Sequence, residues 1–239
     1  MRIISNIILV LMILFLMACG SIEKLAKHEF DDGYYKLKSP DTASVRVFAK
    51  ISNDSVYVYP VVDSGKKEKV NPSKFSSVSL NEIKPGGYLY RSTFIKNSVD
   101  ADLTTILLKY RPSQSNVPRQ LNANLNAAIY LGYKKNYYKI NTSISAIKDV
   151  SNSIHHISFD AGIFAGIGIT PVNPTVTNDK VMLEYDGMVF QKGVAAFVGI
   201  DIFNFGIGLG FDNLLDSNKE DWIYNQKPWI GLLLGIANF

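Results

Sequence analysis

Cysteine and charged residues are scarce in this sequence. The 239 residues include a single cysteine, Cys19, so no disulfide can form within the chain. Asp, Glu, Lys and Arg together make up 19% of the residues, whereas soluble domains carry about 25%. Part of the surface is therefore either poor in charge or not exposed to water.

The sequence also lacks the features of several functional classes. The net charge is only +4, and the lysines and arginines are not interleaved with the stacking aromatic residues of nucleic-acid surfaces. We therefore expect no nucleic-acid partner. The unbroken apolar run at residues 7–17 is too short for a helix that spans a bilayer.

That run instead predicts a signal peptide, because it follows a short segment that carries Arg2. It ends in Leu16-Met17-Ala18-Cys19, which resembles the lipobox of bacterial lipoproteins. The resemblance implies cleavage before Cys19 and attachment of acyl chains, such as palmitate, to that residue. No Asp follows Cys19, which favours an outer-membrane anchor in the periplasmic leaflet. The alternative is an ordinary export signal with an incidental cysteine, but no A-x-A cleavage site is present.

The remainder of the chain predicts an all-β protein. A hairpin is indicated by apolar alternation over residues 45–51, a turn at 52–54 and a return over 55–62. We expect a signal peptide at 1–18, a lipid-anchored tether at 19–32, a small β-hairpin module at 33–98 and a β-barrel domain at 99–239. The barrel should be antiparallel with about eight strands, predicted from alternating runs at 102–110, 121–133, 138–146, 157–169, 181–189, 194–202, 205–211 and 230–236.

Two environments are compatible with this alternation. Most runs reach the ~9–11 residues of a tilted membrane strand, and the face opposite the apolar one is rich in Gly, Ala, Asn and Ser, which suits a narrow lumen. In a soluble barrel or sandwich the apolar face would instead be the core. Two features oppose the membrane barrel. The connection at 171–180 is long where a short turn is expected, and Phe239 falls in phase with the small-residue face.

Four segments are similar to a recurrent pattern in uncharacterised Bacteroidota cell-envelope lipoproteins with outer-membrane β-barrel-like bodies. The resemblance covers about residues 33–238 and implies a fold and a cellular location, with no assigned activity or site residues. The segments are Lys109-Tyr110-Arg111-Pro112, residues 118–122, residues 130–133 and residues 222–229.

The sequence offers few catalytic or metal-binding motifs. His155 and His156 are adjacent on a predicted strand and point to opposite faces, so they cannot bind one metal ion. An acyltransferase-like enzyme would need a His, a Ser and an acid at one barrel rim, and His156, Ser153 and Asp149 are close only in sequence. We therefore expect no enzyme activity, no metal and no cofactor.

Two groups of residues are candidates for function. One is a set of carboxylates that the alternation places on one barrel face, where they either pair with Lys109 or Lys139 or act as acid and base: Asp160, Glu184, Asp186, Asp201 and Asp212. The other is a pair of loops, 111–120 and 213–227, where we expect a partner at Arg111, Arg119, Trp222 and Tyr224.

The sequence thus predicts an outer-membrane lipoprotein with a β-barrel body, acting as a structural or binding component of an envelope assembly. Its partners are then the membrane and an envelope protein. The alternatives are a soluble, periplasm-facing, lipid-anchored β-sandwich or barrel that acts as a binding module, and the acyltransferase-like enzyme.

Overall fold

The computed structural model describes residues 30–39, 43–52, 55–63, 68–70, 72–79, 92–114, 117–144, 150–201 and 203–236. The expected signal peptide, Cys19, most of the tether, Asp149 and Phe239 lie outside these residues. Within the described part of the chain, no helix is both long enough and apolar enough to cross a membrane.

The prediction of an all-β, antiparallel fold is confirmed. The described residues form twelve strands and two short 3-10 helices, Thr175–Thr177 and Ser217–Glu220. The strands are β1 (Gly33–Lys38), β2 (Val45–Ser52), β3 (Ser55–Asp63), β4 (Glu68–Val70), β5 (Ser76–Ser79), β6 (Thr93–Arg111), β7 (Gln120–Asn122), β8 (Asn126–Ile144), β9 (Val150–Val172), β10 (Tyr185–Ile200), β11 (Phe203–Leu214) and β12 (Pro228–Ile236).

The described residues divide into two compact units. The first contains the residues up to Thr93 together with 138–155, and the second contains 94–137 and 156–236. The small module therefore includes the far ends of β8 and β9 in addition to the expected 33–98 segment.

The first unit is a small sheet with an ordinary apolar core. The predicted hairpin is present as β2 and β3, with Ser52 paired to Ser55, and β1 pairs with the other edge of β2. Tyr35 is buried, with its ring centroid 5.2 Å from that of Phe30 and 6.0 Å from that of Tyr138. The Tyr35 hydroxyl donates to the Asp31 carbonyl at 2.6 Å, and burial raises its pKa.

The second unit is a closed ring. In the described residues it contains six strands in the order β6-β8-β9-β10-β11-β12, and β12 pairs back with β6 through Ile230↔Tyr110 to Ile236↔Leu103. Closure leaves no unpaired edge between the first and last strand.

The ring has six strands, not about eight, because two pairs of predicted runs are continuous strands. The runs at 121–133 and 138–146 belong largely to β8, and those at 181–189 and 194–202 belong largely to β10. Lys134, Asn136 and Gln191, which fall between these runs, point inward and are buried, so the strands continue through them.

The order of the six strands determines which connections lie at the same end of the ring. Antiparallel neighbours alternate their connections between the two ends of the ring. Residues 112–119, 173–184 and 215–227 therefore lie at one end, which we call the loop end. The other end, the turn end, has the two-residue connection 201–202, the start of β6 and the end of β12. The long connection near 171–180 is thus at the same end as the other long loops, and not at the end with the short turn.

The outward face of the ring is apolar. We call this surface the apolar band, and its members include Leu107, Ile129, Leu131, Ile163, Ile167, Val194, Val198, Phe205, Ile207, Leu209, Ile230 and Leu232, all exposed. The exposed fraction reaches 67% at Ile129 and 66% at Ile207. On the described residues of β6 and β8–β12, the exposed charged side chains are Lys135 and Lys139 towards the turn end, Asp186 at the loop end, and Lys192. Ile200 is 52% exposed while Gly199 is buried, as the predicted strand register requires.

Candidate functional site

The interior of the ring is filled by large side chains that face glycines. A buried cluster contains Ile106, Ala128, Tyr130, Phe164, Ala195, Phe197, Trp229 and Leu233. A Cβ at Gly206 would meet the Phe197 ring, and one at Gly210 would meet the Trp229 indole. The small-residue face predicted from sequence is therefore the inner face, and it accommodates the aromatic rings of facing strands.

A charged cluster lies inside the ring near the loop end. Asp212 accepts hydrogen bonds from the Lys109 ammonium at 3.1 Å (Oδ1) and 3.0 Å (Oδ2), and from Trp229 Nε1 at 2.9 Å. Arg111 Nη2 also donates to Asp212 Oδ2. The charged side chains are at most 3% exposed. Two cations thus share one buried carboxylate, which confirms the expected pairing of Lys109.

Arg111 also packs against two aromatic rings of the loop end. Its guanidinium carbon is 5.1 Å from the Trp222 ring centroid and 5.2 Å from that of Tyr224. Both rings are 2% exposed and belong to a cluster with Val172, Val176, Val189 and Leu214. Burial raises the pKa of Tyr224, and the positive charge of Arg111 opposes that rise.

Hydrogen bonds join the loops that cover this cluster, 173–184 and 215–227, which we call the loop cap. Ile223 N donates to the Val176 carbonyl at 3.0 Å, and the Lys180 ammonium lies 2.6 Å from Asp221 Oδ1. The Tyr185 hydroxyl, at the first residue of β10, donates to Asp216 Oδ2 at 2.8 Å. The cap therefore has a defined structure of its own.

These contacts correct the expectation of a partner surface at three of its four residues. Arg119 is exposed, but Arg111, Trp222 and Tyr224 are each only 2% exposed. Aromatic residues in a polar loop sequence suggested a binding surface, whereas here they form the core of the loop cap. They cannot contact a protein partner while the cap is closed.

A second charged cluster lines a small cavity inside the ring. The Tyr130 hydroxyl donates to Asp160 Oδ1 at 2.8 Å, and the Lys134 ammonium is 3.7 Å from Asp100 Oδ1. Asp102 also lines the cavity. The cavity volume is about 10 Å³, which is the space of a single water molecule and excludes an organic substrate.

The five candidate carboxylates do not gather in one site. Asp160 and Asp212 point inward but belong to the two separate clusters. Asp201 lies in the turn after β10 with φ at 52°, and its carboxylate accepts from His156 N at 3.1 Å. Glu184 and Asp186 are exposed near the loop end. The spacing for two carboxylates that act as acid and base is thus not formed by this set.

The remaining candidate chemistry is a metal site at the two histidines and an acyltransferase-like group of His156, Ser153 and Asp149. His156 points inward and its Nε2 is 2.9 Å from Asn136 Oδ1, while His155 is exposed on the opposite face. Asp149 and the Ser153 side chain lie outside the described residues. Among the described side chains, no three of His, Cys, Asp or Glu are grouped closely enough to hold a metal ion.

Sequence reasoning missed several interior residues. Lys134, Gln191 and Trp229 were not selected, although each falls at an inward position of its strand. Gln191 Nε2 donates to the carbonyls of Ala127 and Ile167 at 3.1 and 3.0 Å. Such residues can be recognised in the sequence as polar side chains at the strand positions that alternate with the apolar ones.

Comparison of the chain with protein-family models, with curated proteins and with solved structures finds no match.

Proposed function

We propose that the chain is an outer-membrane lipoprotein whose barrel spans the membrane and acts as a structural or binding component of a cell-envelope assembly. One observation carries the proposal: the ring has apolar side chains outside and paired charges inside. Membrane barrels have this arrangement, and soluble barrels have the reverse.

The size of the apolar band supports the same environment. In water, monomeric proteins rarely expose a continuous apolar patch larger than a few hundred Å². Here Ile163, Ile167, Val194, Ile207 and Leu209 are between 46% and 66% exposed on adjacent strands. Burial of such a side chain contributes about 1.5–3 kcal/mol, so the band as a whole favours a lipid environment. The soluble alternative would leave this surface in contact with water.

The height of the band also suits a bilayer. On β9 the outward residues from Ile157 to Ile169 are apolar without interruption. A rise of about 3.3 Å per residue and a tilt of about 45° give roughly 30 Å along the membrane normal. This matches the hydrocarbon thickness of about 30 Å.

The connections suggest how the barrel is oriented. Outer-membrane barrels have short periplasmic turns and longer external loops. The two-residue turn at 201–202 and the start of β6 share one end, and the loop cap is at the other. An acylated Cys19 in the periplasmic leaflet would anchor the turn end, and the loop cap would face outward.

The filled interior indicates a structural or binding role. Trp229, Phe164, Tyr130 and Phe197 occupy the middle of the ring, and a six-stranded ring is narrower than the ~8-stranded barrels whose interiors side chains just fill. An aqueous channel is therefore not part of the proposal.

Cysteine labelling tests this function. Two variants are made in a Cys19→Ser background with a cleavable signal that lacks a lipobox, Ile207→Cys in the apolar band and Lys219→Cys in the loop cap. Membranes are then treated with a membrane-impermeant maleimide. We expect Lys219→Cys to react and Ile207→Cys to react only after detergent or denaturant is added, because lipid covers it. Equal labelling of both positions in intact membranes would contradict the proposal, since Ile207 is 66% exposed in the protein itself.

The lipid anchor is tested separately by mass spectrometry of the mature N-terminus. We expect the chain to begin at Cys19 with acyl chains on its sulfur and amino group, because the preceding residues resemble a lipobox. An unmodified N-terminus at another residue would exclude the anchor and leave the barrel proposal intact.

A further inference from the structure

We propose that Arg111, Trp222 and Tyr224 form a binding site for an oxyanion, such as a phosphate group, beneath the loop cap. This goes beyond the role proposed above, because it assigns a ligand chemistry to the loop end and does not require that the barrel lie in a membrane.

Positive charge is in excess in this cluster. Lys109 and Arg111 are both buried, and both bond to Asp212. Neither cation contacts another described carboxylate: Asp216 accepts from the Tyr185 hydroxyl and from Asn218 N, and Asp221 pairs with Lys180 at 2.6 Å. Glu184 and Asp186 are exposed. A buried charge without a counter-ion is unfavourable, so one more negative group in contact with these cations would stabilise the cluster.

The Asp212 carboxylate cannot accept a further hydrogen bond. Its Oδ1 accepts from Lys109 and Trp229, and its Oδ2 accepts from Lys109 and Arg111. Any further donor of the cluster must therefore bond to a different acceptor.

Three donors in the cluster have no acceptor among the described residues. Arg111 Nη1, Trp222 Nε1 and the Tyr224 hydroxyl are all buried and make no hydrogen bond there. Each such group costs about 1–3 kcal/mol when it is buried without a partner. Both ring centroids lie about 5 Å from the Arg111 guanidinium carbon, so the three side chains are neighbours in one cluster.

An oxyanion satisfies both requirements at once. A water molecule would accept hydrogen bonds but would not neutralise the extra cation. A phosphate group offers several acceptor oxygens and negative charge, and Arg, through the planar edge that its Nη1 presents, is the residue that recognises it best. Because the donors are buried, the ligand enters when the loop cap opens.

The test measures thermal unfolding of the full chain in a non-ionic detergent. Inorganic phosphate is titrated against chloride at equal ionic strength, because screening alone would otherwise change the result. We expect phosphate to raise the Tm of the wild type in a saturable manner. We expect Tyr224→Phe to need about ten times more phosphate, because one hydrogen bond is lost. Arg111→Gln should not respond, and Arg119→Gln, the exposed arginine of a neighbouring loop, should respond like the wild type.

Tyr224→Phe also keeps the test valid if Arg111→Gln fails to fold. In chloride alone this variant should be at least as stable as the wild type, since the hydroxyl that it loses has no acceptor there. In saturating phosphate it should be less stable. The proposal is overturned if phosphate and chloride act alike on the wild type, or if Tyr224→Phe responds to phosphate as the wild type does.

A second arm identifies the source of the phosphate group. The same variants are titrated with phosphatidylglycerol in the detergent micelles. If the lipid acts at lower concentration than inorganic phosphate, with the same dependence on Arg111 and Tyr224, the site recognises a phosphorylated headgroup. If only inorganic phosphate acts, the site takes a free anion. Both results support the oxyanion site.

Discussion

Asp212→Asn should destabilise the barrel by about 3–5 kcal/mol, the usual cost of removing one partner from a buried ion pair. Asp212 is fully buried and is the acceptor for Lys109, Arg111 and Trp229. Asparagine keeps the shape but removes the only charge bonded to two buried cations. The asparagine side-chain nitrogen is itself a hydrogen-bond donor, so it would face a donor of Lys109, Arg111 or Trp229 with no acceptor between them. Urea titration of the folded protein in detergent measures the loss.

Asp186→Asn is the matched control for this change. Asp186 is exposed at an outward position of β10, so the same substitution there should change the free energy of unfolding by no more than about 0.5 kcal/mol. Equal stability of the two variants would mean that the Lys109–Asp212–Arg111 cluster does not stabilise the barrel.

Ile207→Arg should cost about 2–4 kcal/mol in a membrane, where an arginine on the lipid face is unfavourable near the midplane. Ile207 lies centrally on β11, between Gly206 and Gly208, with its side chain in the apolar band. In water an exposed isoleucine tolerates arginine within about 0.5 kcal/mol. The measurement is the folded fraction after refolding into lipid vesicles across a urea series.

Leu215→Arg provides the comparison within the same chain. Leu215 is 56% exposed, close to the 66% of Ile207, but it lies in the loop cap outside the apolar band. We expect Leu215→Arg to refold like the wild type. If both arginine variants refold equally well, the outward face of the ring is not in contact with lipid.

The sequence predicts the strands well because alternation with a period of two reports the backbone directly. It cannot report which face is inside, since apolar residues alternate equally in a core and on a lipid face. Ring closure through Ile230 and Tyr110 is what assigns Ile207 to the outside and Trp229 to the inside. Closure depends on contacts distant in sequence, which no local pattern contains.

The strand count and the loop residues show where local interpretation fails. Buried polar residues such as Gln191 interrupt the apolar pattern in the same way as a turn, so continuous strands were divided. Pairing of Lys109 with a carboxylate was anticipated, but Arg111 was assigned to an exposed surface. Its burial depends on the rings of Trp222 and Tyr224, which come from a loop more than a hundred residues later in the chain.

Membrane fractionation of an unlipidated protein distinguishes a membrane barrel from a soluble one. The signal region is replaced by a cleavable signal without a lipobox, and Cys19 is changed to Ser, so that acyl chains no longer contribute to binding. We expect the folded protein to stay in the membrane fraction after carbonate extraction and to need detergent for release. We also expect different gel mobility for unheated and boiled samples, because a closed ring resists unfolding. Quantitative release of folded protein into the soluble periplasm would exclude the membrane barrel.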